Sequence, residues 1–195
     1  MVSAIVLAAG SSRRMGNVNK LLLPYRNKTI ITHVVENILA AGIMDLIVVA
    51  GFEASNLKKN LKDLPVQFVI NEDHTDGLTS SIQQGIRKAN GNGYMICLAD
   101  MIFIEPGEYF LLLKSYEEQL AVDPKCICQP VYNNQKGNPL IFSSLYRQDI
   151  LNHKEPEGCK AIVQSNKQHV YTTAMNTNHI LKDIDYPEDY EILGY

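Results

Sequence analysis

The chain of 195 residues has no tryptophan and only four cysteines. Cys97, Cys126, Cys128 and Cys159 form no C-x-x-C and show no paired metal-ligand spacing. Cys126 and Cys128 stand two apart, so on a strand they point to the same face. All four read as buried or half-buried free thiols, which suit a reducing compartment. No apolar run approaches the ~20 residues of a membrane-spanning helix. Met1-Val2-Ser3 lacks the basic start and apolar stretch of a signal peptide. The expectation is a cytoplasmic protein with no membrane partner. A net charge of −3 offers no basic footprint for nucleic acid. The five histidines, His33, His74, His153, His169 and His179, are scattered without a metal-binding spacing. G-x-S-x-G is absent, so there is no serine nucleophile elbow. Repeats, low-complexity tracts and linkers are also missing, and the simplest organisation is one domain over residues 1–195.

What is present is an alternation. Ser3–Leu7 reads as a strand buried on both faces. Thr29–Ala41 carries apolar residues at helical spacing and ends before Gly42. Leu46–Ala50, Val66–Ile70 and Tyr94–Ala99 read as further strands, separated by helices over Glu53–Leu61 and Leu78–Ala89. Continuous apolar strands between helices predict a Rossmann-like, three-layer α/β/α architecture with a mostly parallel sheet. The second half is less regular. A helix over Pro106–Glu118 precedes strands at Cys126–Tyr132 and Leu140–Phe142, which suit an antiparallel excursion around the turn Asn133–Gly137. Short helices over Leu145–Leu151 and Cys159–Gln164, a strand at Val170–Thr173 and a last helix from Pro187 complete the reading.

The most informative stretch is Leu7-Ala8-Ala9-Gly10-Ser11-Ser12-Arg13-Arg14-Met15-Gly16, which follows the first strand. Ligands of doubly wound sheets sit at the carboxyl ends of strands. Small residues there let the backbone approach a ligand, and successive amides of a Gly/Ser loop form an anion-binding concavity. Arg13, Arg14 and Lys20 add positive charge. Neither G-x-x-x-x-G-K-[ST] nor G-x-G-x-x-G is present. Two readings stand on residues alone: a phosphate cradle, or a surface loop with solvated arginines. Asp100 ends the fourth strand beside this loop. It lies too far before Pro106 for a simple helix cap, which favours a functional role at the strand end.

The stretch L-A-A-G-S-S-R-R-M-G, with Lys20 four residues on, resembles the signature of the molybdenum cofactor cytidylyltransferases and guanylyltransferases, the MobA-like NTP transferases. The resemblance extends through Asn71-Glu-Asp-His-Thr-Asp-Gly77…Ser81, Ala99-Asp100-Met101, Gly137-Asn138-Pro139 and Asp183-Ile-Asp185-Tyr-Pro187-Glu-Asp189. It implies a Mg²⁺-dependent nucleotidyltransferase in which Arg14, Lys20 and Asp100 are catalytic. It implies nucleotide contacts from Leu7 to Arg14 and at Lys20, Asn71, Gly77, Ser81 and Asp100. Asp100 and Asp185 would be the metal ligands, with Asp183 the rival for the second position. Ser81 reads equally as a helix N-cap. Asn138, Pro139 and Lys160 would lie on the acceptor side.

Ala9 matches the L-A-A-G of the cytidylyl branch rather than the L-A-G-G of the guanylyl branch. The resemblance therefore implies CTP as donor and molybdopterin, the molybdenum cofactor, as acceptor. A molybdoenzyme or its chaperone would be the downstream partner. GTP, a sugar or polyol phosphate acceptor, and a binding carrier without turnover are the competing readings. The departures gather on the acceptor side. Asn138 replaces the His of G-H-P, Ile102 replaces a proline, and Gly158-Cys159-Lys160 stands where G-A-R is usual. Lysine lacks arginine's bidentate fork.

Overall fold

The computed structural model describes residues 1–16 and 18–194. Its first half is a run of β/α units: β1 (Val2–Ala8), a small hairpin of β2 (Pro24–Tyr25) and β3 (Lys28–Thr29), α1 (Ile30–Ala40), β4 (Asp45–Ala50), α2 (Ala54–Asn60), β5 (Gln67–Ile70), α3 (Leu78–Lys88) and β6 (Gly93–Leu98). The second half contains α4 (Pro106–Leu120), β7 (Ile127–Tyr132), β8 (Gln135–Lys136), β9 (Leu140–Ser143), α5 (Arg147–Asn152), α6 (Lys160–Ser165), β10 (Val170–Ala174) and α7 (Pro187–Glu191).

The main sheet runs β10-β7-β9-β6-β1-β4-β5, with β8 attached to β7. β1 pairs in parallel with both β4 and β6, and β5 extends the parallel part. β9 lies antiparallel to β6 on one side and to β7 on the other. The anticipated antiparallel excursion is therefore the insertion of β9 between two strands that run the other way. The turn expected at Asn133–Gly137 holds the short β8, antiparallel to β7.

Alternation along each parallel strand divides the core in two. Ala4, Val6 and Ala8 of β1 join Val34 and Ile38 of α1 and Leu112 of α4 on one face. Ile5 and Leu7 join Ile82 and Ile86 of α3 and Ile150 of α5 on the other. Each large aliphatic side chain removed from water on these faces contributes about 1.5–3 kcal/mol. α3 approaches the sheet closely: a Cβ at Gly85 would lie 2.3 Å from Ile5 Cγ2. The start of α4 is fixed by Pro106 and by Glu108, whose carboxylate accepts from the Glu105 N–H at 2.9 Å.

Differences from the sequence reading are small. α4 runs on to Leu120, and β7 begins at Ile127 rather than Cys126. The β2–β3 hairpin lies outside that reading because two-residue strands carry no alternation. Cys97, Cys126 and Cys128 are buried and Cys159 half-buried, all as free thiols. Burial pushes the Cys128 and Cys159 thiols up to about 12. No helix of the described residues is long and apolar enough to cross a membrane.

Candidate active site

The parallel pairing of β1 with β6 brings their carboxyl ends side by side. The Ala99 N–H donates to Leu7 O at 3.3 Å, which holds the Asp100 turn against the loop after β1. In that loop Ser12 adopts a left-handed conformation (φ 48°), and Arg13–Met15 form one 3-10 turn. The Ser12 hydroxyl accepts from the Lys20 N–H at 3.2 Å, folding the chain back toward its own start. Asn19 then caps the turn that carries Lys20, its side-chain oxygen accepting from Leu21 N–H at 3.1 Å. On the other side, the Ile184 N–H donates to Asp100 O at 3.2 Å. That single bond ties the distant segment bearing Asp183 and Asp185 to the tip of β6.

A compact charge cluster results. The Lys20 ammonium lies 2.6 Å from Asp100 Oδ2 and 2.8 Å from Asp185 Oδ1. Arg14 pairs with the other Asp185 oxygen, Oδ2, and its guanidinium lies over the Tyr186 ring, 5.5 Å from the centroid. Burial alone would lower the Lys20 pKa, but the Asp100 charge and the hydrogen bonds to Asp100 and Asp185 outweigh it, and the net shift is upward. The Lys20 hydrogen bond, with help from Arg14, holds the Asp185 carboxyl below its usual range. Asp183 goes the other way: partial removal from water, then the charges of Asp100 and Asp185, raise it.

The residues present suit a divalent cation. One oxygen each from Asp100, Asp183 and Asp185 can be chosen so that all three lie within 4.8 Å of one another. Asp100 Oδ1 is buried and has no hydrogen-bond partner among the described residues. An orphaned buried carboxylate oxygen beside two further carboxylates is the donor set a hard, oxygen-seeking ion requires.

A cavity of about 490 Å³ opens over this cluster. Of the residues expected to contact nucleotide, Leu7, Ala9, Gly10, Ser11, Ser12, Arg13, Arg14, Lys20, Gly77, Ser81 and Asp100 all line it, and Asp185 joins them. Two do not. Ala8 points to the opposite face of β1 and packs in the core with α1. Asn71 is fully buried outside the lining, where its Nδ2 donates to the Ser80 and Ser81 hydroxyls at 2.9 and 3.0 Å. Asn71 thus orients Ser81. Ser81 itself sits one turn inside α3, so it is not the helix cap.

The cap position belongs to Gly77 (φ 103°), where an added Cβ would meet Pro156 O at 2.7 Å. Leu78 N–H donates to the same oxygen at 2.9 Å. The Glu155–Gly158 segment is therefore clamped on the start of α3, where Thr79 Oγ1 also accepts from the Gly158 N–H at 3.0 Å. His74, Thr75, Leu78 and Leu98 also line it and are additions to the expected set, although the first three fall within the quoted Asn71–Ser81 region. His74 packs on Gly51, where a Cβ would come within 2.5 Å of the ring.

Of the acceptor-side residues, Asn138 and Lys160 line a second cavity of about 480 Å³. Pro139, joined to Asn138 by a cis peptide bond, does not line it. The two cavities share Leu78 and Leu98 as a common wall.

A strand-end glycine loop facing three carboxylates and two cations, on a mixed α/β sheet, defines the class of Rossmann-like nucleotidyltransferases. The chain belongs to the MobA-like NTP transferase family, whose domain model matches residues 4–170. It is 32% identical over 151 residues to the nicotine blue oxidoreductase of Paenarthrobacter nicotinovorans, covering 73% of this chain and 71% of that protein. It is 29% identical to a probable molybdenum cofactor guanylyltransferase of Methanosarcina mazei, covering 63% of this chain and 57% of that one. Among solved structures, Rv0371c of Mycobacterium tuberculosis superposes with a TM-score of 0.86 at 25% identity, over 98% of this chain and 96% of the other. A manganese complex of Rv0371c superposes with a TM-score of 0.80 at 22% identity, over 98% and 97%.

Proposed function

We propose that the chain is a divalent-metal-dependent, Mg²⁺-using cytidylyltransferase, a single domain that joins CMP from CTP to the phosphate of molybdopterin and releases pyrophosphate. The observation that carries this reading is the Lys20–Asp100–Asp185 cluster at the mouth of the glycine-loop cavity. The amides after β1 cradle the triphosphate. Arg14 and Lys20 bind its charge and stabilise what develops at the α-phosphorus. An acceptor phosphate oxygen attacks that phosphorus, the bond to the β-phosphate oxygen breaks, and pyrophosphate carries away the electron pair. Positioning and electrostatics supply most of such catalysis. Asp100 with Asp185 or Asp183 would hold the metal ion, which supplies charge neutralisation for the triphosphate.

Ala9, which lines the cavity, supports CTP through the L-A-A-G form of the loop. GTP is the second reading, because the Methanosarcina relatives are named guanylyltransferases. The Paenarthrobacter relative is named for a redox reaction. Here a lysine between two carboxylates, beside a loop of small residues and backbone amides, favours phosphoryl chemistry. The test is pyrophosphate release from each of CTP, GTP, ATP and UTP with Mg²⁺, with and without molybdopterin. Release from CTP that requires the pterin supports the proposal. Preference for GTP overturns the base assignment, and no release from any triphosphate overturns the transferase reading. Asp100→Asn should fold and lose turnover by about 10²–10³-fold, as for other electrostatic groups.

A further inference from the structure

The glycine loop lies between two strand ends, because the sheet runs β6-β1-β4 at this point. On the β6 side stand Lys20, Asp100 and Asp185, the groups proposed for triphosphate and metal. On the β4 side the Phe52 N–H donates to Ala9 O at 3.4 Å, and Gly51 receives the ring of His74. His74 is half-buried, opens the 3-10 turn after β5 and lines the cavity. Its Nδ1 lies 3.3 Å from Asn71 O. A backbone carbonyl only accepts, so Nδ1 carries the hydrogen, and Nε2 of the neutral ring is left as an acceptor. Nε2 has no hydrogen-bond partner among the described residues. The anchor is itself fixed: the Asn71 N–H donates to Ala50 O at 2.7 Å, and its side chain donates to Ser80 and Ser81.

We propose that His74 is a specificity-determining residue whose Nε2 accepts from the exocyclic amino group of the nucleotide's base and so selects cytosine over uracil. The inference rests on the CTP reading and deepens it by naming the group that reads the base edge. With the phosphates on the β6 side, the β4 side is left for the base of the same nucleotide. Cytosine and uracil are nearly identical in shape, so the small and apolar lining groups Leu7, Ala9 and Leu98 cannot tell them apart. One edge atom can. Cytosine brings an amino donor to Nε2, whereas uracil brings a carbonyl oxygen and sets two lone pairs against each other. The imidazole cannot adapt by turning over, because that would place an acceptor against Asn71 O in a ring already packed on Gly51. A site built to receive a hydrogen bond rejects the analogue that lacks the donor.

Calorimetric titration of the full chain, with Mg²⁺ and without acceptor, compares three probes: CTP, UTP and the pyrimidin-2-one ribonucleoside triphosphate, which is CTP without its 4-amino group. The wild type should bind CTP at least about tenfold more tightly than either of the others. His74→Asn keeps a side-chain amide to donate to Asn71 O but places no acceptor where Nε2 stands. It should bind CTP and the pyrimidin-2-one nucleotide alike. Equal wild-type affinity for those two overturns the inference and leaves the transferase reading untouched. A preference for CTP that survives in His74→Asn overturns it as well. Loss of all three nucleotides together in His74→Asn would make the histidine a scaffold for Asn71 and would also overturn it. Pyrophosphate release is measured separately. Its absence with every triphosphate removes the transferase proposal, while the wild-type selectivity in binding still decides the role of His74.

Discussion

The Lys20 ammonium sits 2.6 Å from Asp100 Oδ2, in the position where a cation is most needed and where a metal ion would compete with it. In the ligand-free protein the lysine neutralises the carboxylates on which the metal would rest. A triphosphate bound as proposed would offer Lys20 a new partner and free those carboxylates at the same time. Metal and nucleotide should therefore bind with positive cooperativity. Mn²⁺ titrated into the free protein should bind weakly, and a non-hydrolysable triphosphate should tighten it about tenfold or more. Lys20→Met should bind Mn²⁺ alone more tightly than the wild type and lose the cooperativity. Tight Mn²⁺ binding by the wild type without nucleotide would remove the competition.

Asp183 and Asp185 compete for the second metal position, and their partners separate them. Asp185 holds both Lys20 and Arg14, whereas Asp183 is exposed and shares the cluster through proximity. Asp183→Asn should leave the melting temperature of the free protein unchanged and weaken Mn²⁺ binding only if Asp183 is a ligand. Asp185→Asn should release two cations, lower nucleotide affinity through Arg14 and weaken metal binding together. Paired calorimetric titrations of the two variants check this. If only Asp183→Asn affects the metal, Asp185 is a positioning residue for Arg14 and Lys20.

Much of this geometry is legible in the sequence because local chemistry agrees with topology. Ala4-Ile5-Val6-Leu7 suits only a strand buried on both faces, and a glycine loop after such a strand belongs at the sheet's ligand-binding edge. Asp100 is readable for the same reason. Ala8 is not, because motif spacing does not say which face of the strand end a side chain takes. Ile5 and Leu7 point to one face, so Ala8 points to the other, away from the cavity. Asn71 reads as a ligand contact in the motif but supports Ser81 instead. The Pro156 contact that makes Gly77 necessary joins segments far apart in the chain, and no local pattern records it.

Gly77 combines a positive φ of 103° with a close neighbour: a Cβ added there would lie 2.7 Å from Pro156 O. Gly77→Ala meets both penalties and should destabilise the protein by about 1–3 kcal/mol. Because Gly77 also lines the cavity proposed to hold the triphosphate, the KM for the triphosphate should rise more than kcat falls. Gly107, at the start of α4, has open space where a Cβ would go, and Gly107→Ala is the control that should leave the KM unchanged and hold or raise stability, by at most about 1 kcal/mol. Chemical denaturation and steady-state kinetics read both. A Gly77→Ala variant of wild-type stability would show that Pro156 yields easily.

His33 contributes to the pH dependence of folding near neutrality. It is buried on α1, its ring edge-on to Tyr25 with centroids 4.8 Å apart, and its Nε2 accepts from Asn37 Nδ2 at 3.3 Å. Burial holds the imidazole below its ordinary value, and the Arg26 and Lys28 charges lower it further, while Glu105 and the Ile102 backbone oppose them. The folded state therefore binds its proton less readily than the unfolded chain. Between the ordinary imidazole pKa of 6.5 and the lower folded value, the unfolded state carries more protons, so stability falls as pH drops through that window. One proton limits the slope to about 1.4 kcal/mol per pH unit. Denaturation midpoints measured from pH 7.5 down to 5 should fall in the wild type, and His33→Gln should flatten that part of the curve whatever its absolute stability. An unchanged slope in His33→Gln would assign the acid sensitivity to another group.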